Sequence, residues 1–307
     1  MTTLLAPAKL NLFLSIGDVR PDGFHDVTAV NAVLDFGDEV SVVPAAGLSL
    51  ACEPDVDVAA SDNLGWRAAV AMGEAFQRDP HFAIRIEKRI PAGAGLGGGS
   101  SDAAAVVAAV AAAWDVQRTD PRIETVARSL GADVPLFLAG GCGVYAGRGD
   151  VLRRALPVPA AHVAVVWPRE QVSTAAAYRA FDVLPRQTRP APSALTDAIC
   201  FRDAAGIGAA LHNNMTASSV GLVPVIGDAL AFMQSARGCL GAAMAGSGSA
   251  VFGLFAEAAL AGEAAAAAGE RGWWSVPAGF GTGGTLDATM GVAHVADQGR
   301  RRHPRRR

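Results

Sequence analysis

The sequence predicts an α+β protein built as two domains. Three observations lead there. The chain has 307 residues, a length that suits roughly two domains. Stretches with strand-like and helix-like periodicity are mixed without a strict strand–helix–strand alternation. A proline-punctuated stretch, Leu156–Ala161, separates two such mixed sets, which places the first domain at 1–157 and the second at 158–297.

Composition supports a large core. Hydrophobic residues make up 51 % and charged residues 18 %, which argues against disorder. A net charge of −3 calls for neither nucleic acid nor an anionic membrane as partner. Arg300–Arg302 and Arg305–Arg307 form a basic cluster, read as a solvated, disordered tail over 298–307. The four cysteines, Cys52, Cys142, Cys200 and Cys239, are widely spaced and include no CxxC pair. They are expected to be reduced, buried thiols, with no metal site. No basic segment precedes an apolar run at the start, so no signal peptide and a cytoplasmic protein are expected. Gly238–Ala256 carries no charge, but Gly246, Ser247, Gly248 and Ser249 interrupt it. A turn between two buried strands fits better than a membrane span.

The elements follow in order. Ala8–Ile16 alternates apolar and polar residues and reads as a strand; Val40–Val43 and Leu48–Cys52 read as short ones. Asp62 is the expected cap of a helix reaching about Gln77. Phe82, Ile84 and Ile86 alternate with polar neighbours, as in a half-buried strand. A glycine-rich loop and an Ala-rich helix to about Trp114 come next. Asp120-Pro121 opens a further helix that Gly131 ends. His162–Trp167 reads as a strand, Ser173 as the cap of a helix carrying Tyr178, and Val225–Ala236 as a helix closed by Gly238.

The loop carries the strongest chemical signal: Pro91, Ala92, Gly93, Ala94, Gly95, Leu96, Gly97, Gly98, Gly99, Ser100, Ser101, Asp102. Glycines let a backbone approach a ligand closely, and the following helix start offers unpaired N–H groups to phosphate oxygens. Gly93, Gly95 and Gly98 also fit GxGxxG, but the preceding strand is amphipathic where a dinucleotide fold wants a continuously apolar one. A Walker A loop is excluded because no Lys follows Gly99. A tight packing turn is the plain structural alternative.

This loop resembles the phosphate-binding loop of the GHMP kinases, P-x-x-x-G-L-G-S-S-A, expanded here by two glycines to GLGGGSSDAA. Five further segments match in family order. They are Pro7–Leu14 (PAKLNLFL), Arg20–His25 (RPDGFH), Asp62-Asn63-Leu64, Gly131–Pro135 (GADVP) with the Gly147-Arg148-Gly149 turn after it, and Ala245–Ser249 (AGSGS). The resemblance implies two α+β domains, the first like domain 2 of ribosomal protein S5 and the second ferredoxin-like, with the active site between them. It implies ATP and Mg²⁺ as cofactors and a small-molecule acceptor, a cytidine diphosphate-linked tetrol, phosphorylated on an alcohol. Asp133 would orient or deprotonate the attacking hydroxyl; its plain reading is a turn cap. Lys9, on an otherwise apolar strand, would sit beside Asp133 and the transferring phosphate; its plain reading is a snorkelling lysine. Pro91–Ser101 would hold the ATP phosphates, with Ser100 or Ser101 touching Mg²⁺, and Asn63 would lie near the adenine. Asn11 and His25 would hydrogen-bond the cytosine end, and Phe24 and Tyr178 would stack on the base. Thr174 begins the same helix as Tyr178. Family members often carry Tyr where Phe24 stands.

Overall fold

The computed structural model describes residues 2–55, 58–185 and 189–282. The expected basic tail and the end of the second expected domain lie outside them.

The first half opens with a long antiparallel hairpin, β1 (Thr2–Val19) and β2 (His25–Pro44). Then come β3 (Ser49–Glu53), α1 (Leu64–Phe76), β4 (Phe82–Glu87), α2 (Gly98–Ala113), α3 (Pro121–Leu130), α4 (Val134–Ala139), β5 (Cys142–Ala146) and β6 (Val151–Leu156). The second half contains β7 (His162–Trp167), α5 (Thr174–Asp182), α6 (Ser193–Cys200), α7 (Ala204–Ala209), β8 (His212–Asn213), α8 (Thr216–Leu222) and α9 (Val225–Ser235). It closes with β9 (Cys239–Met244), β10 (Val251–Phe255), α10 (Ala258–Glu270) and β11 (Trp274–Gly279).

One mixed sheet runs β3-β4-β2-β1-β8, with β5 pairing β2 and β6 pairing β5. The second sheet is antiparallel in the order β11-β7-β10-β9. Its order in the chain, β7–α9–β9–β10–α10–β11, is the split βαβ pattern of a ferredoxin-like fold, with α5 to α8 inserted after its first strand. The expected α+β class and ferredoxin-like second sheet are thus present.

A cut at 157/158 divides the sheets except for β8, which returns to pair in parallel with β1. It does not divide the cores. Leu10, Leu12, Val30 and Ala32 of the β1–β2 hairpin share an apolar cluster with Val163 and Val165 of β7 and Phe252 and Leu254 of β10. The other face of the hairpin packs Leu4, Val40 and Val42 against α1, α2 and α3. α2 is buried nearly all round, from Ser101 to Ala111. Its run of Ala and Val makes it a slender core helix, able to lie close to its neighbours on every side.

Local signals explain most boundaries, and several differ from expectation. β1 extends beyond Ala8–Ile16, and Val40–Val43 belongs to the 20-residue β2. α1 is capped by Asn63 and not by Asp62: the Asn63 side chain accepts from the Gly65 N–H at 2.8 Å. Asp120 and Ser173 cap α3 and α5 as read. The β5–β6 hairpin around the Gly147–Gly149 turn was not legible as strands, because β6 exposes Arg153 and Arg154. The cysteines are free, but Cys142 is the buried one, its thiol pushed up to about 12 by desolvation, while Cys200 is exposed. Among the described residues no helix is long and apolar enough to cross a membrane, and no cluster of three or more His, Cys, Asp or Glu could hold a metal ion.

Candidate active site

The glycine-rich loop lies between β4 and α2, with positive φ at Gly93, Gly95 and Gly97. Gly95 is the position that demands glycine most. A Cβ there would stand 2.6 Å from the Ala245 carbonyl oxygen and 2.8 Å from that of Gly248. The two glycine-rich loops therefore touch backbone to backbone, and the Ala250 N–H donates to the Ala94 carbonyl at 2.9 Å. Asn213 braces the second loop by donating to the Met244 and Gly246 carbonyls, both at 2.8 Å.

Two cavities of about 280 Å³ each flank this junction and share Gly95 and Gly97 in their walls. One is walled by Asn63, Leu64 and every residue from Pro91 to Gly99, with Lys88 and Asp102 as its floor. Ser100 and Ser101 lie in the first turn of α2, just beyond that wall. Ser100 is partly exposed and its hydroxyl faces Gly131, ahead of Asp133; Ser101 is fully buried and its hydroxyl has no partner.

The other cavity brings together Lys9, Asn11, Asp133, Thr174 and Tyr178. Lys9 and Asn11 sit between two register shifts of the β1–β2 pairing, a common device for re-aiming side chains beside a site. Lys9 is 5 % exposed; its ammonium donates to Asn11 Oδ1 at 2.7 Å and lies 3.6 Å from Asp133 Oδ2. Asn11 Nδ2 donates in turn to Asn31 Oδ1 at 2.6 Å. A buried amine needs such partners, since an unpaired charge inside a protein is strongly disfavoured. The Asp133 carboxylate makes no capping bond to α4, so the plain turn-cap reading does not describe it. Asn11, expected at the cytosine end, is held at the Lys9 end. Asn31, which sequence reading missed, completes the row; its signal was an amide inside an otherwise apolar strand.

Phe24 and His25 lie outside this cavity's wall. Phe24 is 53 % exposed, with the Arg148 guanidinium 4.8 Å above its ring. Arg148 lines the cavity and was missed as a site residue, although its turn was singled out. The His25 ring packs on Tyr178 with centroids 5.1 Å apart. Its Nδ1 is within hydrogen-bond distance of the Gly17 carbonyl oxygen at 2.8 Å, and its Nε2 lies 3.2 Å from Asp182 Oδ1. Thr174 Oγ1 bonds Ser247 Oγ at 3.0 Å, linking α5 to the second glycine loop. Desolvation, and secondarily the charge of Asp133, raises the Tyr178 phenol and keeps it a neutral donor.

Beneath the first cavity Lys88 is gripped by Asp38 and by Asp102, the latter at 2.8 Å. Asp38 also accepts from the backbone N–H groups of Arg89 at 2.5 Å and Ile90 at 2.8 Å. Burial pulls the Lys88 amine down, but the two carboxylates outweigh it and raise it. Burial, opposed by Lys88 and reinforced by Asp38, pushes Asp102 up to about 7. This triad ties β2 to both flanks of the glycine loop.

Comparison with known proteins agrees with the geometry. Residues 63–141 match the GHMP kinases N terminal domain, and residues 194–272 match the GHMP kinases C terminal model. A Cereibacter sphaeroides protein named 4-diphosphocytidyl-2-C-methyl-D-erythritol kinase is 39 % identical over 91 % of this chain and 99 % of its own length. A Pelotomaculum thermopropionicum protein of the same name is 39 % identical over 83 % of this chain and 89 % of its own. A crystal structure of 4-(cytidine 5'-diphospho)-2C-methyl-D-erythritol kinase superimposes with a TM-score of 0.78 at 34 % identity, covering 92 % of this chain and 100 % of that one. Two glycine loops in backbone contact, a buried lysine beside an aspartate and these relatives converge: the chain belongs to the GHMP kinase family, on the branch formed by the 4-diphosphocytidyl-2-C-methyl-D-erythritol kinases.

Proposed function

We propose that this chain transfers the γ-phosphate of ATP to the 2-hydroxyl of 4-diphosphocytidyl-2-C-methyl-D-erythritol, giving the 2-phosphate and ADP. The reaction belongs to the methylerythritol phosphate route to isoprenoid precursors. The observation that carries the reading is the meeting of two cavities at Gly95 and Gly97, with Lys9 and Asp133 3.6 Å apart on the acceptor side. Phosphoryl transfer asks mainly for positioning and charge stabilisation, and this arrangement offers both.

In this reading Pro91–Ser101 hold the donor phosphates through backbone N–H groups and the start of α2, with Asn63 and Leu64 at the nucleoside end. Asp133 orients the attacking hydroxyl and takes up its proton. Lys9 faces the oxygens that gain negative charge in transit. Asn11 and Asn31 fix the lysine. Tyr178 and Phe24 supply aromatic faces to the cytosine, and Thr174 and Ser247 close the wall. Mg²⁺ suits a site with few protein ligands, because it keeps waters and binds largely through phosphate oxygens. Of the two loop serines, Ser100 is the one open to it. The ion would neutralise phosphate charge. The divisions at 157/158 and 297/298, and a cytoplasmic location, belong to the same proposal.

The test is product identity. With purified protein, MgATP and the cytidine compound, ³¹P NMR should show a new monoester resonance on the tetrol alongside ADP. ADP without a new monoester would contradict the proposal.

A further inference from the structure

Asn213 holds the second glycine loop from behind. Its Nδ2 donates to the Met244 and Gly246 carbonyls, both at 2.8 Å, and its Oδ1 accepts from the Met215 N–H at 2.9 Å. The amide satisfies these three partners in one orientation only. Asn213 is itself anchored. It pairs with Leu14 of β1, and its neighbour Asn214 bonds both the N–H and the carbonyl of Ile16, at 2.9 and 3.0 Å. The loop is thereby tied to the strand that carries Lys9 and Asn11.

Gly246 and Ser247 line the acceptor cavity, whereas Asn213 lies outside its wall. The peptide between Gly246 and Ser247 is trans, so its carbonyl and its N–H point in opposite directions. The carbonyl is drawn back to Asn213, which turns the Ser247 N–H toward the cavity. The other polar groups of Ser247 are engaged: Thr174 Oγ1 lies 3.0 Å from its hydroxyl, and the Ser219 hydroxyl donates to its carbonyl at 2.8 Å. Among the described residues nothing accepts from its N–H. A Cβ at Gly246 would stand 3.2 Å from the Gly95 carbonyl oxygen and 3.7 Å from Lys9 Nζ. This peptide therefore sits where the two cavities meet, beside the lysine.

We propose that Asn213 is a positioning residue for phosphoryl transfer: it fixes the Gly246–Ser247 peptide so that the Ser247 N–H donates to the phosphoryl group in flight. This rests on the proposed transfer from ATP and not on which alcohol accepts. In that step the bond from the γ-phosphorus to the bridging oxygen of ADP breaks. A bond forms from the phosphorus to the acceptor oxygen, whose proton passes to Asp133. The Ser247 N–H gives up no atom; it stabilises charge on an equatorial oxygen from the side opposite the first glycine loop. A donor fixed before the reaction costs no reorganisation during it.

The experiment separates transition state from ground state by binding. Whole protein is titrated calorimetrically with a non-hydrolysable ATP analogue, and with MgADP in the presence and absence of fluoroaluminate, a mimic of the phosphoryl group in flight. Each titration is run with and without the cytidine compound. Fluoroaluminate should tighten MgADP binding to wild type at least about tenfold. Asn213→Asp keeps the size and the acceptor for Met215 but sets a carboxylate against two carbonyls; Asn213→Ala removes the amide. In both, the tightening should fall by about tenfold or more, as when a preorganised donor is lost, with affinity for the ATP analogue within about threefold of wild type. A merely structural role would weaken both kinds of complex together and leave the tightening intact, and that result would overturn the proposal. So would a wild type that fluoroaluminate does not tighten. A second readout needs no variant: in ¹⁵N-labelled wild type the Ser247 amide resonance should shift when fluoroaluminate joins the MgADP complex, and an unmoved resonance would also overturn the proposal. Tightening without the cytidine compound, in a protein that does not phosphorylate it, would sink the proposed acceptor alone.

Discussion

At one end of the acceptor cavity Lys9, Asn11 and Asn31 are almost fully buried and bonded in a row that ends at Asp133. Beyond the cavity's wall, at the other end of the site, Phe24 lies half open to solvent under Arg148, and Asp182 is about as open beside His25. The first end is set before any ligand arrives; its geometry is fixed by the strand pairing of β1 with β2. The second is a collection of aromatic faces and charges, with Arg148 over Phe24 and His25 against Tyr178. Groups fixed in advance suit charge that develops in a transition state. Aromatic faces suit ground-state binding, where each stacked base contributes about 1–3 kcal/mol. The division predicts that substitutions at the two ends separate kinetically, turnover at one and acceptor KM at the other.

The largest effect should come from Asp133→Ala: turnover falls by roughly 10²–10⁴-fold, the range for a lost general base, while ATP affinity by titration stays within about twofold. Equal loss of both would make Asp133 structural. Lys9→Met should lower kcat by about 10²–10³-fold. It empties a buried cation site, so its melting temperature is measured alongside. Near-normal turnover would remove Lys9 from the reaction. At the aromatic end, Tyr178→Ala should raise the acceptor KM by about tenfold, in line with the loss of one stacking face, and leave kcat within about threefold. A kcat loss larger than the KM rise would erase the distinction between the ends.

Smaller effects sharpen the account of the loop. Gly95→Ala sets a Cβ against two carbonyl oxygens at a φ of +86°, so it should cost about 1–3 kcal/mol by denaturant melts. Gly99→Ala lies in the helix with an ordinary 3.5 Å contact to Leu64, and should be neutral or stabilising by up to about 1 kcal/mol. Asp102, raised to about 7 by its burial, binds a proton more readily in the folded chain than in the unfolded one. Its contribution to stability is therefore fully present below pH about 4 and is lost as pH rises through about 7. Asp102→Asn should remove that part of the pH dependence, seen as a flatter melting temperature between pH 5 and 7.5 relative to wild type. Parallel curves for the two proteins would contradict the assignment.

The glycine loops and the partnered Lys9 were legible in the sequence because each breaks a local rule, whereas Asp133 stood out only through the GADVP resemblance. A glycine run is costly in chain entropy, and a lysine within an apolar strand demands a partner. Residues whose role depends on partners far along the chain were not legible. Asn31 reads as one polar residue in a strand until the register sets it opposite Asn11. Asp182 reads as the end of a helix until the fold carries it to His25, 157 positions away (182 − 25). The shared core of the two sheets was hidden for the same reason: the stretch at Leu156–Ala161 marks a change of sheet, and no composition signal tells that Leu10 and Phe252 pack in one cluster.

The most direct measurement is ADP release from MgATP with diphosphocytidyl-methylerythritol, homoserine, mevalonate and galactose compared side by side. The account predicts turnover with the cytidine compound and none above background with the others. Turnover with one of those other alcohols, or silence with all four despite measurable ATP binding, would contradict it.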